Sequence, residues 1–246
     1  MRFAVVSDVH GNLTALEAVI ADLERRGVEA VVHGGDLALM GPRPAAVIDR
    51  IATLGWEGVV GNTDELLWRP DEHDRQRARA PKLAALLDLL FDAYAPATRA
   101  LLDAEHISWL QRLPAQRRVG NWTILHAAPG DLWRAPPPTT DEATLTEVYA
   151  PLGTSAVCYG HIHRPFVRRP DGRLLVANAG SVGMPWDGDP RAGYLLVEGD
   201  AARIVRVAYD IDREQTAMRA ARHPDAARLD AMRRSGRFVS PRPAAV

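Results

Sequence analysis

Three times in its first 64 residues the chain ends a short apolar run with polar residues beside glycine. Residues 3–6 are followed by Asp8, His10, Gly11 and Asn12. Residues 30–33 are followed by Gly34, Gly35 and Asp36, and residues 56–60 by Gly61, Asn62, Thr63 and Asp64. Short apolar runs rich in β-branched residues read as strands buried on both faces. Leu13, Leu16, Val19, Ile20 and Leu23 fall at helical spacing after the first run, with Asn12 placed to cap that helix. Pro42 and Pro44 open a second helix over about 45–54. Strand–helix units in succession predict a parallel sheet with right-handed crossovers. Ligands of such sheets bind just past the carboxyl ends of the strands, where all three polar clusters fall. One Asp-x-His pair is weak evidence, but three clusters at one edge are not.

The pattern breaks over residues 69–81, which are charged and aperiodic and read as a solvated loop. Residues 82–94, 98–104 and 108–113 read as helices, so about 69–113 is predicted to be a helical insertion. Strands resume at 116–119 and 122–125 around Gly120, with His126 directly after. A helix is predicted over 141–149. A strand over 156–159 is closed by Gly160, His161 and His163. Hairpins over 166–177 and 194–208 make the second half read as largely antiparallel, with a polar turn at 178–183. The main domain is predicted over 1–212. Residues 213–246 read as a basic helical tail on the surface, frayed from 235 onward.

At 246 residues the chain is long enough for a sizeable core. Its net charge of −1 gives no global field for nucleic acid. The single cysteine, Cys158, allows no internal disulfide and sits in a strand pattern, so it reads as core. No signal peptide and no long apolar stretch is visible, and a cytoplasmic, membrane-free protein is expected. The sequence does not set the oligomeric state.

The polar residues just past strands are Asp8, His10, Asp36, Asn62, Asp64, His126, His161 and His163. Carboxylates, imidazoles and an amide without thiolates suit Mn²⁺, Fe²⁺, Zn²⁺, Ni²⁺ or Co²⁺ rather than a structural zinc. Seven ligands, one of them shared, are too many for one ion. They suit two ions about 3.5–4 Å apart. His33, His73, His106 and His223 match no cluster and read as ordinary packed or surface residues.

Asp8-x-His10, Gly35-Asp36, Gly61-Asn62-x-Asp64, His126 and Gly160-His161-x-His163 resemble the motifs of the calcineurin-like metallophosphoesterase superfamily. The turn 178–183 resembles the Asn-Pro-Gly-Ser turn of its small bacterial and archaeal phosphodiesterase branch, with Ala179 in place of proline. The resemblance covers about residues 1–208. It implies an α/β fold, a four-layer α/β/β/α sandwich, here with the helical insertion. It implies a first ion on Asp8, His10, Asp36 and His163, and a second on Asp36, Asn62, His126 and His161, bridged by Asp36. Mn²⁺ is the favoured metal. The implied activity is phosphodiester hydrolysis by a hydroxide between the ions, with Asp36 and Asp64 as catalytic residues and Asn62, Thr63 and Asn178 as substrate contacts. Thr63 stands where much of the superfamily has a histidine near the leaving group, and a threonine hydroxyl is no proton donor at neutral pH. That favours diesters with stable leaving groups over alkyl monoesters. Asp64, with no imidazole to orient, is either a substrate contact or a turn cap. The expected partner is a small phosphoester, nucleotide-derived ones included. The alternatives are a protein phosphatase, a dinucleoside polyphosphate hydrolase, or a scaffold that kept the fold and lost the chemistry.

Overall fold

The computed structural model describes residues 2–170 and 172–241. Ten strands form two five-stranded sheets. In the first, β1 (Arg2–Val6) lies beside β2 (Ala30–His33), and β2 beside the two-residue edge strand β3 (Glu57–Gly58), all parallel. Helix α1 (Leu13–Arg25) connects the first two strands and α2 (Pro44–Thr53) the next two. Asn12 caps α1 by accepting from the Ala15 N–H at 2.9 Å, as its position predicts. The predicted third strand, 56–60, pairs over only two residues. Val60 leaves the sheet and donates its N–H to the Pro114 carbonyl of the insertion instead.

The short helix α3 (Asn62–Glu65) precedes the insertion, which departs from expectation at its start. Residues 69–81 are not a loop: they contain α4 (Glu72–Arg79). Its charges close on one another, since buried Glu72 accepts from Arg69, Arg75 and Gln76. Good helix formers satisfied by short-range pairs need no apolar stripe, so periodicity gave no sign of this helix. Helix α5 (Ala84–Asp88) runs through a widened turn, Leu89–Tyr94, into α6 (Ala95–Arg99). Pro96 sits just after that turn; it has no N–H to give, and widening removes its clash with the preceding turn. Helix α7 (Ala104–Gln111) ends the insertion.

In the second sheet β4 (Gln116–Val119) and β5 (Trp122–Leu125) form the predicted hairpin. Helix α8 (Glu142–Tyr149) crosses back to β6 (Ala156–Tyr159), which therefore lies parallel to β5. The edge strand β7 (Phe166–Arg168) pairs antiparallel with β8 (Leu175–Asn178), and β8 is parallel to β6. The second half thus has its three predicted antiparallel hairpins once β9 and β10 are included, but β5, β6 and β8 run parallel to one another, which the sequence reading did not anticipate. The second sheet has a parallel centre with antiparallel edges, whereas the first is parallel on one side of β1 and antiparallel on the other. Strands β9 (Ala192–Glu198) and β10 (Ala201–Val207) form a hairpin that returns to the first sheet, antiparallel to β1.

The layers follow from alternation. On β1, Phe3 and Val5 face the core between the sheets, while Ala4 and Val6 face the helices. On β6, Ala156 and Cys158 face the same inter-sheet core, while Val157 and Tyr159 pack with Leu145 and Tyr149 of α8. Helix, sheet, sheet, helix is the predicted sandwich. Cys158 is a buried free thiol whose ionisation burial disfavours, as expected of core.

Helices α9 (Ile211–Ala220) and α10 (Ala226–Ser235) are not solvated surface helices. Met218, Leu229 and Met232 lie in the helix-side core, and Arg233 is fully buried with its Nη2 donating to the Met40 carbonyl at 3.0 Å. The basic, alanine-rich composition hid this because few residues per turn are apolar. Of the stretch expected to fray, residues 242–246 lie outside the described residues; Phe238 packs against the core. Leu229→Ala is expected to cost about 2–5 kcal/mol in urea unfolding. A loss below about 0.5 kcal/mol is what a surface helix would show.

Candidate metal centre

Every parallel strand but one delivers a polar side chain to the same edge. Asp8 and His10 follow β1, Asp36 follows β2, His126 follows β5, and His161 and His163 follow β6. Asn62 opens α3 after β3. The two sheets meet closely there. A Cβ on Gly160 would overlap Ser7 Oγ and Asp8 Oδ2, and one on Gly34 would lie 2.5 Å from Ser7 Oγ. The backbone is unusual as well. Among the described residues the non-glycine residues with positive φ are Asp8, His10, Asp36, Met40, His161, His163 and Arg222. All but Met40 and Arg222 belong to the cluster. Each such residue costs about 1–2 kcal/mol, so the surrounding packing holds these side chains in place against local preference.

All of these but the half-buried His161 are buried. One ligand atom from each of Asp8, His10, Asp36 and His163 lies within 4.8 Å of the others. His163 Nε2 is 3.2 Å from Asp8 Oδ1 and 3.1 Å from His10 Nε2. A second group adjoins this one. Asn62 Oδ1 is 2.8 Å from His126 Nε2 and 2.9 Å from His161 Nδ1. Asp36 lies between the two groups, with Oδ1 3.4 Å from His126 and Oδ2 3.9 Å from His10.

The tautomers follow from the backbone. A carbonyl only accepts, so the rings must donate from Nδ1: His10 to Leu39 O at 3.1 Å, His163 to Met184 O at 2.6 Å, and His126 to Gly34 O at 2.8 Å. Burial pushes His10 and His161 down to about 3, so both rings are neutral near pH 7. With their Nδ1 atoms turned to these carbonyls, His10 and His163 bring their Nε2 atoms to 3.1 Å from each other. His126 Nε2 likewise faces a carbonyl-type oxygen of Asn62. Acceptors that confront one another without a proton repel unless a cation lies among them. The carboxylates show the same want of positive charge. Burial, reinforced by the charge of Asp8, pushes Asp36 up to about 7, whereas for Asp8 burial, the largest single influence, is outweighed by the surrounding histidines together, His163 foremost, which hold the carboxyl down. The donor set therefore fits divalent cations. The three carbonyls that fix the rings are functional groups invisible in the sequence, because every residue carries one.

Not every expected site residue faces this centre. Asp64 is fully buried and accepts from the Leu37, Ala38 and Gly61 N–H groups. It caps turns of the loops that carry Asp36 and Asn62, the position that its turn-cap reading describes. Asn178 was expected to touch substrate. It is fully buried instead, donating to Gly160 O at 2.6 Å and accepting from the Gly180 N–H at 2.9 Å. It shapes the turn whose Ser181 hydroxyl donates to the Asp8 carbonyl at 2.7 Å, tying one sheet to the other. Thr63 does line the cavity beside the centre, and its N–H donates to Asp36 Oδ1 at 2.9 Å. His33, His73, His106 and His223 lie outside the cluster, as predicted. His33 is buried against Trp109, and His106 closes a capping box with Asp103.

Known proteins share this architecture. The family model described as a calcineurin-like phosphoesterase superfamily domain matches residues 1–202. The uncharacterized protein MJ0912 of Methanocaldococcus jannaschii is 30% identical over 230 residues, 85% of this chain and 88% of that protein. The phosphodiesterase YfcE of Escherichia coli is 24% identical over 215 residues, 83% of this chain and 91% of that protein. A crystal structure of a metallophosphoesterase from Sphaerobacter thermophilus superposes with a TM-score of 0.77 at 28% identity, covering 96% of this chain and all of that one. The protein PH1004 of Pyrococcus horikoshii shares the fold at a TM-score of 0.76.

Proposed function

The chain belongs to the calcineurin-like phosphoesterase superfamily, and from that premise we propose that it is a dinuclear metal-dependent hydrolase of phosphodiesters. The observation that carries this reading is the pair of imidazole Nε2 atoms held face to face at 3.1 Å, with Asp36 reaching from that group to the second. Asp8, His10, Asp36 and His163 would hold one divalent cation, and Asp36, Asn62, His126 and His161 the other. Such cations, Mn²⁺ first among Mn²⁺, Fe²⁺, Zn²⁺, Ni²⁺ and Co²⁺, supply Lewis acidity for the phosphoryl oxygens and make water acidic near neutral pH.

The protein's own residues do the rest. The Leu39, Met184 and Gly34 carbonyls accept from three ring Nδ1 atoms and so keep the Nε2 atoms aimed at the centre. The Thr63 N–H orients Asp36, whose two oxygens face opposite ways. No imidazole is left over to protonate a leaving group, and Thr63 does not titrate in the neutral range. Esters with acidic leaving groups are therefore the better substrates, which supports diesters over alkyl monoesters. The phosphodiesterase name of the Escherichia coli relative agrees with this preference. No helix among the described residues is long and apolar enough to cross a membrane. We place the protein in the cytoplasm, a reading supported by its single buried thiol.

Protein stripped by chelation is expected to be inactive on bis(p-nitrophenyl) phosphate. It should regain activity as Mn²⁺ approaches two equivalents per chain, with p-nitrophenyl phosphate turned over more slowly. Full activity of metal-stripped protein overturns the proposal, and saturation at one equivalent overturns its dinuclear form.

A further inference from the structure

Beside the metal centre lies a cavity of about 380 Å³. His10, Asp36, Asn62 and Thr63 form one end of it. The rest is apolar: Leu83, Leu86 and Leu90 come from the helical insertion, and Trp133, Trp186 and Phe238 from the loops opposite. The charged and hydroxyl groups on this wall are largely spent. Arg228 donates Nε to Asp225 at 2.5 Å, Nη2 to the Tyr94 hydroxyl at 2.5 Å and Nη1 to the Val239 carbonyl at 2.7 Å. The Tyr94 hydroxyl in turn donates to Asp225. The indoles of Trp133 and Trp186 add only buried N–H groups. Beyond the metal centre, the described lining residues offer no free side-chain acceptor. A nucleobase edge carries donors as well as acceptors, so this wall would leave its donors unpaired, at a cost. Leu83, 49% exposed, continues the apolar surface to the rim.

We propose that this cavity takes an aliphatic chain, and that the phosphoester handled at the centre carries one. The inference rests on the phosphoesterase reading and adds the class of substrate. The phosphoryl group would lie at the metal end, where Arg164 follows His163 and adds a positive charge. The chain would run along the leucines of the insertion. Burying one methylene is worth about a three- to fourfold gain in affinity.

The test is calorimetric titration of the full, Mn²⁺-loaded chain with methyl-, butyl- and octylphosphonate, and with AMP. The dissociation constant is expected to fall about threefold per methylene until the cavity is full, with AMP weaker than octylphosphonate. Octyl- and geranylphosphonate separate a straight chain from an isoprenoid one, and tight binding of either supports the proposal. Leu86→Asn should flatten the dependence on chain length. If that variant does not fold, Leu83→Asn at the exposed rim should lower the length at which the gain levels off. Equal affinity for methyl- and octylphosphonate overturns the proposal, as does tighter binding of AMP. Unchanged chain-length dependence in the folded variant overturns it too. Hydrolysis of bis(p-nitrophenyl) phosphate is followed in parallel. Intact hydrolysis without chain-length dependence defeats this inference alone, whereas chain-dependent binding with no metal-dependent hydrolysis defeats the phosphoesterase reading.

Discussion

Asp36→Ala is expected to lower kcat/KM on bis(p-nitrophenyl) phosphate by at least about a thousandfold, equivalent to about 4 kcal/mol of transition-state stabilisation. Among the cluster's side chains Asp36 has one oxygen near His126 and the other toward His10, so its loss would remove a ligand from both proposed metal positions at once. Metal content by mass spectrometry should fall from two ions toward one or none. The metal-free variant should be at least as stable as the metal-free parent. Burial and the charge of Asp8 disfavour ionised Asp36, and removing that penalty is expected to offset the positive φ that alanine must keep and the lost bond from the Thr63 N–H. Activity lost together with a large drop in stability would mean that Asp36 supports the fold rather than the metals. Activity retained would remove it from the site.

Gly160→Ala is expected to damage fold and metal centre together. The added Cβ would collide with Ser7 Oγ and Asp8 Oδ2, and would lie 3.1 Å from Ser7 Cβ. Rotating one hydroxyl does not relieve this, because Asp8 is itself held by the His161 N–H at 3.1 Å and by its backbone contacts to the 178–183 turn. Overpacking here should cost about 3 kcal/mol and displace Asp8, with metal affinity and turnover falling together. Gly130→Ala is the control. It has φ +73 but nothing within 4 Å of the added atom. It should cost about 1 kcal/mol through backbone preference and leave turnover intact. Urea midpoints with metal titrations separate the two. Similar losses in both variants would mean that the sheets do not approach as closely as described.

The residues that gather at the centre were legible because strand, turn and ligand are contiguous. Asp8, His10, Asp36, Asn62, His126, His161 and His163 each follow a short apolar run by a few residues, and a buried strand fixes where the next residues go. The four layers were legible for the same reason, through alternation on strands such as β1 and β6. The misreadings share another cause. Helix α4 is held by ion pairs, and α9 and α10 are anchored by a few apolar side chains among arginines, so neither carries a strong apolar period. Asp64 and Asn178 sit in motif positions, yet their polar atoms satisfy loop N–H and carbonyl groups, a role that depends on partners far along the chain.

By itself the sequence determined which side chains lie past the strand ends, and hence the ligand chemistry, because both are local consequences of β periodicity and turn residues. Only the tertiary structure decided the pairing of the two halves through the Ser181 contact to Asp8, the carbonyls that set the imidazole tautomers, and the apolar wall of the cavity. Those features depend on backbone groups and surfaces that only the folded chain brings together, and no spacing within the chain encodes them.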